Sequence, residues 1–318
     1  MSSNNFWQEQ AKKGTIIALA PMDGYTDSAY RQIVKTINPN VICFTEFFSA
    51  DGIVHSKTLA KEVLPHATIE KPLIVQIFGK DPEMFKKAAI IIEQFGVAGI
   101  DINMGCPAKK VVKSGHGSSL MINTETAFKI IEEMAKSVKI PISVKTRLGR
   151  ENWENLVEFS LGLQNAGAKL ITVHGRTYKQ GFSGNADWTG IYELRKQLKI
   201  PVIGNGDVTD YDDGMKKLQN LDGFMIGRSS FGNPWSFFPG VYKPTLDEIL
   251  TVMRQHTQFS LKTKGDKKGI LDMRKHFVQY LHSFPGVKEF RKRLVLVNSL
   301  EELDEIIGKI GKLVDFRA

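Results

Sequence analysis

Residues 200–228 read IPVIGNGDVTDYDDGMKKLQNLDGFMIGR, and this stretch decides the fold. A short β-branched run, Val202–Gly204, leads through a glycine-containing loop into DYDDGMKKL. There Tyr211, Met215 and Leu218 fall at helical spacing, with Thr209 placed to cap the run toward Leu218. A second apolar run, Gly223–Gly227, follows at once. Two strands joined through a helix read as parallel, because a parallel connection needs a long crossover.

Working outward, the same unit recurs from residue 14 to about 238. The candidate strands are Thr15–Leu19, Val41–Thr45, Leu73–Phe78, Gly99–Asn103, Ile142–Arg147, Leu170–His174, Val202–Gly204 and Gly223–Gly227. Between them, Pro82 sits where a first-turn proline belongs in DPEMFKKAAIIIEQFG, and Gly96 stops that run. Thr124 opens TETAFKIIEEMAKS, while Trp153–Ala166 and Ile191–Leu198 repeat the helical period. Eight such units favour closure into a (β/α)8 TIM barrel over an open doubly wound sheet. After Phe238-Pro239-Gly240 the strand pattern ends, and the tail reads as amphipathic helices broken by KTKGDKKG and SFPG. The division expected is an α/β barrel over residues 1–240 and a small all-helical domain over 241–318.

The 318 residues, 42% of them hydrophobic, are enough for one large domain and one small one. No apolar run approaches the roughly eighteen residues of a membrane span. The polar start MSSNNFWQEQAKKG lacks a signal-type apolar core, so a cytoplasmic location is expected. Cys43 and Cys106 are the two cysteines, too few for a disulfide framework or a four-cysteine metal site, and no metal is expected. A formal charge of +9 favours a polyanionic partner without separating RNA, DNA and acidic membrane. The charge is concentrated: residues 262–293 hold ten Lys or Arg against three Asp or Glu. That region is either a helical cap with a solvated basic face or a surface for phosphate backbones. In the second case Lys262, Lys264, Lys267, Lys268, Arg291, Lys292 and Arg293 are its contacts. No obligate protein partner is indicated, and a monomer is expected.

In a (β/α)8 barrel the reacting groups sit at the C-terminal strand ends, where eight loops surround one mouth. This sequence puts Pro21-Met22 and Thr45-Glu46 after the first two strands and Gln76 within the third. Asn103-Met104-Gly105-Cys106-Pro107 ends the fourth, Lys145 and Arg147 lie on the fifth, and His174-Gly175-Arg176 ends the sixth. Gly204-Asn205-Gly206-Asp207 and Gly227-Arg228 end the last two. Polar groups beside buried runs need a partner, protein or ligand. Taken singly, each is more simply a satisfied loop residue; their coincidence at one end of successive strands is the functional signal.

Glycines leave backbone N–H groups open, so Gly204-x-Gly206 with Gly227-Arg228 reads as an anion nest beside a guanidinium, or as ordinary turns. Lys145 can offset negative charge on an electron-rich ring, and His174 can donate to a carbonyl. Gln76 has the donor and acceptor for a planar amide-bearing ring. Together these suit the ring and phosphate of FMN. A Schiff base on Lys145, as in a phosphate-sugar aldolase, stays open. Cys43, inside VICF, reads as a core thiol. Cys106, in a loop with glycine and proline, is a nucleophile, a proton donor or a small packed group.

Seven ordered motifs then span nearly the whole chain: PMDGYTDSAYR (21–31), QIFG (76–79), DINMGCPAKKVVKSGHGSSL (101–120), VKTRLG (144–149), HGRTYKQGFSGNADW (174–188), GNGDV (204–208) and MIGRSSFGNPW (225–235). Through them the sequence resembles the tRNA-dihydrouridine synthases of bacterial type, with Tyr25 and Tyr30 where the family commonly has Val and Phe. The resemblance implies a flavin barrel with a C-terminal helical domain. It implies saturation of the C5–C6 bond of uridines in tRNA, with FMN as cofactor and NADPH or NADH as reductant. Cys106 matches the catalytic cysteine that protonates C5 while hydride reaches C6, and Asn103 the residue that holds the base. Pro21, Met22, Gln76, Lys145 and His174 match the surroundings of the flavin ring, and Asn205, Gly206, Asp207, Gly227 and Arg228 the ribityl and phosphate region. Arg147 and Arg176 sit in matching motifs as substrate binders or site organisers, and Lys267, Lys268, Arg291 and Lys292 fall in the basic tail. Two competing readings remain. A related FMN barrel acting on a free pyrimidine or dihydroorotate leaves the basic tail without a purpose. Against an RNA-binding barrel without chemistry stand the intact ring and cysteine positions.

Overall fold

A computed structural model describes residues 5–56, 58–106, 117–282 and 288–315. Eight parallel strands close in chain order: β1 (Ile16–Leu19), β2 (Ile42–Ser49), β3 (Leu73–Phe78), β4 (Gly99–Asn103), β5 (Ile142–Arg147), β6 (Ile171–His174), β7 (Val202–Asn205) and β8 (Gly223–Ile226). The pairing of β1 with β8, from Ile16 opposite Gly223 to Leu19 opposite Ile226, completes the barrel. Each expected strand is present. The largest difference is β2, which runs on to Ser49 because the register against β3 slips between Phe44 and Phe47, a bulge-type irregularity.

Helix starts follow the rule that a short polar side chain just outside the first turn meets an orphan N–H. Asp81 does so for Pro82–Glu93, with Pro82 in the first turn as the sequence indicates. Thr124 opens Thr124–Ser137 as expected, with Asn123 before it accepting from Thr126 N. One cap differs from expectation: Asp210, not Thr209, caps Tyr211–Leu218. A helix absent from the sequence reading, Phe6–Lys13, closes the floor of the barrel: buried Trp7 stacks on Phe44 at 6.2 Å, among Ile16, Ile42, Ile74 and Met225.

In the tail, helices Leu246–Lys264, Asp266–Tyr280, Lys288–Leu294 and Leu300–Asp315 gather a second apolar cluster around Met253, Met273, Phe277, Leu303 and Ile310. Trp235 packs into this cluster from the barrel side of the link. The seam between barrel and tail is polar as well as apolar. Asp27 accepts from Tyr30 N (2.9 Å) to cap helix Ser28–Ile37 and also pairs with Lys264 Nζ at 2.5 Å. Lys264 reaches Asp272 as well, at 2.6 Å. On the barrel side of the link, Tyr30 donates its hydroxyl to Ser230 O, and Asn38 Nδ2 donates to Phe237 O at 2.9 Å. Gly232, at φ +64°, is pressed so close to the Asp266–Tyr280 helix that a Cβ would lie 2.2 Å from the Gln279 carbonyl carbon. The Ser28–Ile37 helix is further anchored by a fully buried pair: Glu70 accepts from Arg31 Nε (2.7 Å), Ser28 Oγ (2.6 Å) and Ala67 N (2.7 Å).

Candidate active site

A cavity of about 920 Å³ opens at the C-terminal strand ends. Pro21, Met22, Asn103, Cys106, Lys145, Arg147, His174, Asn205, Gly206, Asp207, Gly227 and Arg228 all line it. Strand register explains the convergence. Asn103 lies opposite Lys145, Arg147 opposite His174, and His174 opposite Asn205, so two successive levels of side chains, two residues apart on β5, face the mouth.

Gln76 and Arg176 are not in the cavity wall; both are buried behind it. Gln76, Asp101 and Ser143 share one register level, one layer below Asn103 and Lys145. Ser143 Oγ donates to Asp101 Oδ1 (2.6 Å), and Gln76 Nε2 donates to Asp101 Oδ2 (2.7 Å). Asn103 Nδ2 donates to Gln76 Oε1 (3.0 Å), leaving Asn103 Oδ1 to accept from Gly105 N (3.1 Å) and Cys106 N (3.0 Å). An ionised carboxylate only accepts, so each amide in this chain has one permitted orientation, and the last one holds the backbone that carries Cys106. Burial pushes the Asp101 carboxyl up to about 6, against the pull of Ser143, Gln76 and Lys145. The same loop is held from the other side. Arg147 Nε donates to Gly105 O (2.7 Å), and its Nη1 donates to Thr177 O (3.1 Å) and Gly181 O (2.7 Å), joining the loops after β4 and β6. The rest of the cysteine motif, residues 107–116 with Pro107, lies outside the described residues.

The wall is electropositive. Burial, with Arg147 nearby, lowers the Lys145 ammonium to about 8, and among the described residues it has no hydrogen-bond acceptor. Burial lowers Arg147 to about 10. His174 is held neutral by burial and by Lys145, Arg147, Arg176 and Arg228 around it. Arg176 Nη1 lies 3.3 Å from His174 Nε2, and a guanidinium only donates, so Nε2 accepts and Nδ1 carries the proton. Asp207 sits at φ +51° and organises the cations: its Oδ2 accepts from Arg176 Nη2 (2.7 Å) and Ala186 N (2.8 Å), and Arg228 Nη2 is 3.9 Å from Oδ1. Burial opposes ionisation there, yet the Ala186 N–H and Arg176 keep the carboxyl below its ordinary value. Gly206, at φ +115°, leaves no room for a side chain, since a Cβ would lie 2.7 Å from the His174 ring.

Sequence reasoning missed the aromatic rim. Phe182, 57% exposed, lines the cavity beneath the guanidiniums of Arg228 (4.7 Å) and Arg147 (5.5 Å). Tyr25 stacks on Phe231 at 3.9 Å, and both line the cavity. Each lies inside a quoted motif, as an aromatic in a loop at a strand end. Asp101 was signalled by its place as the lone charge in the strand GIDIN.

In the tail, Lys262, Lys267 and Lys268 are exposed. Arg291 donates to His282 O (3.2 Å), Lys292 pairs with Glu289 (2.8 Å), and Arg293 leans on Phe290 (6.0 Å). Lys264, expected among the RNA contacts, is instead consumed by Asp27 and Asp272 in the seam. Cys43 is buried in the core, where desolvation pushes its thiol up to about 12.

A parallel barrel whose mouth gathers a thiol, an ammonium with no acceptor among the described residues and a glycine-arginine cradle has the make-up of a barrel-enzyme active site. A family model described as dihydrouridine synthase (Dus) matches residues 18–313. The sequence is 37% identical over 302 residues to a probable tRNA-dihydrouridine synthase 1 of Synechocystis sp., covering 91% of this chain and 84% of the relative. It is 36% identical to a probable tRNA-dihydrouridine synthase of Rickettsia conorii, covering 92% of each. The chain belongs to the dihydrouridine synthase family. Among solved structures, a 2-naphthoyl-CoA reductase complex shares the fold at TM-score 0.57 and 10% identity, over 69% of this chain and 48% of that one. An old yellow enzyme homologue from Zymomonas mobilis does so at TM-score 0.51 and 12% identity, over 74% and 91%.

Proposed function

We propose that this cavity holds FMN and one uridine extruded from tRNA, and that Cys106 supplies the proton that completes saturation of its C5–C6 bond. The observation that carries the reading is the meeting in one cavity of Cys106, Lys145 (without an acceptor among the described residues), Arg228 and the Gly206 and Gly227 backbone. This donor set fits a phosphate-bearing flavin: Arg228 with the glycine N–H groups for the phosphate, and Lys145 with His174 Nδ1–H for the ring. When bound, reduced FMN supplies hydride to uracil C6, and NADPH or NADH restores it.

The protein's own part is placement and charge. Hydride addition at C6 builds negative charge toward C5 and O4 of the base. Lys145 and Arg147 set a positive field across the cavity. Asn103 and Arg147 fix the Gly105–Cys106 backbone, so the thiol can deliver its proton to C5 as a general acid. Gln76 and Arg176 take part as supports of Asn103 and His174 rather than as walls. A base reaches such a cavity only by leaving its stack, and the exposed cations Lys267, Lys268 and Lys292, with Arg291, give the RNA backbone a surface on which to dock.

The test is whether purified protein, FMN and NADPH or NADH form dihydrouridine in unmodified tRNA, read by mass. Cys106→Ala should keep flavin absorbance while lowering product formation by about 10²-fold or more. Turnover of free uracil or UMP in preference to tRNA would favour the free-pyrimidine reading, and loss of flavin together with activity would show that the thiol's role was misread.

A further inference from the structure

The tail reaches the cavity rim through one residue outside the seven motifs quoted above. Lys275, on helix Asp266–Tyr280, places its ammonium 5.4 Å from the centre of the Tyr25 ring. A Cβ built on Gly24 would lie 3.5 Å from the same Nζ. Asp23 and Tyr25, on either side of Gly24, line the cavity, and Tyr25 is braced by Phe231 at 3.9 Å. Lys275 therefore stands over the lip formed by the loop after β1.

Its charge is unspent. An ammonium carries three donors, and among the described residues Lys275 has neither an ion pair nor a hydrogen-bond acceptor. The contrast with Lys264, eleven residues earlier at the end of the preceding helix and held by two carboxylates, is sharp. Lys268 precedes Lys275 by seven residues, which puts it on the same helix face about 10 Å away. Lys268 and Lys275, unpaired among the described residues, thus lie on one face of this helix, with Asp272 between them already paired to Lys264, and Lys275 stands at the cavity lip.

We infer that Lys275 binds the phosphodiester of the nucleotide whose base occupies the cavity. The inference rests on the reading of the substrate given above. A base inserted between the walls leaves its own phosphate at the lip, and a compact ammonium suits an oxygen anion without demanding planar geometry. The Tyr25 ring holds the ammonium at the lip by a cation–π contact that leaves its N–H donors without an acceptor among the described residues.

The experiment is a salt series of tRNA binding by the FMN-loaded full chain, using wild type, Lys275→Gln and Lys275→Arg, with Lys129→Gln on the outer barrel wall as a control. Lys275→Gln should weaken binding roughly five- to tenfold and lower the slope of log affinity against log salt by about one. Lys275→Arg should restore the slope, Lys129→Gln should match wild type, and flavin absorbance should be equal in all four. A Lys275→Gln slope equal to that of wild type overturns the inference; a lowered melting temperature with that unchanged slope would mark Lys275 as a brace on Tyr25 and nothing more. If Lys129→Gln lowers the slope as much, the effect is general charge and the lip site fails. Wild-type protein that binds no tRNA removes the substrate reading and Lys275's role with it.

Discussion

Asp101→Asn should make the protein more stable and less active at once. Burial raises the Asp101 carboxyl from 3.8 to about 6. The folded state thus holds this proton more tightly than the unfolded chain does, and keeping the group ionised costs stability as pH rises. With those two values, the penalty is about 1 kcal/mol at pH 4.5 and about 3 kcal/mol at pH 7, and it does not grow further above that. An uncharged amide of the same shape escapes it. The variant should therefore resist urea better than wild type at pH 7 and by much less at pH 4.5. The loss comes from direction. Asn donates as well as accepts, so Gln76 is free to turn, Asn103 loses its enforced orientation, and the hold on Gly105 N and Cys106 N loosens. Dihydrouridine formation should fall on the order of ten- to a hundredfold, with flavin retained. Urea unfolding by circular dichroism at both pH values, with FMN held at one concentration, gives the first number, and product formed by the same preparation gives the second. A stability difference identical at the two pH values, or an undiminished rate, refutes the reasoning.

Two further outcomes test other parts of the molecule. The Lys145 ammonium, lowered to about 8, is present below that pH and lost above it. FMN affinity measured by flavin fluorescence should therefore weaken as pH rises through about 8, and Lys145→Met should bind weakly with no such step. Glu70→Ala should leave Arg31 buried without its carboxylate, lowering stability by about 3–5 kcal/mol in urea unfolding; a loss below 1 kcal/mol would show that the pair is not what anchors the Ser28–Ile37 helix.

The barrel was legible because its code is periodic: β5 (ISVKTR) and β4 (GIDIN) stand out as strands by composition, and their ends carry the polar residues of the mouth. What stayed hidden depended on depth and on distant partners. Gln76 and Lys145 are both long polar residues on barrel strands, yet one turns into a buried chain of amides and the other into the cavity. Composition also grouped Lys264 with its basic neighbours. Only the approach of Asp27, more than two hundred residues earlier in the chain, shows that its charge is already used. Phe6–Lys13 escaped notice because eight residues with one buried aromatic are too short a stretch for periodicity to register.

The double duty of Asp27 constrains anyone who would exchange the tail for another RNA-binding module. Cutting at the Phe238–Gly240 link strips a cation from the carboxylate that starts the first barrel helix, and it uncovers Trp235 and the Gly232 backbone, which were shaped against Gln279. A chimera built there would inherit a barrel with a charged and greasy scar. A graft that travels with residues 246–280 keeps both surfaces covered, and must bring its own cover for the face of that helical pair that Leu303 and Ile310 now close.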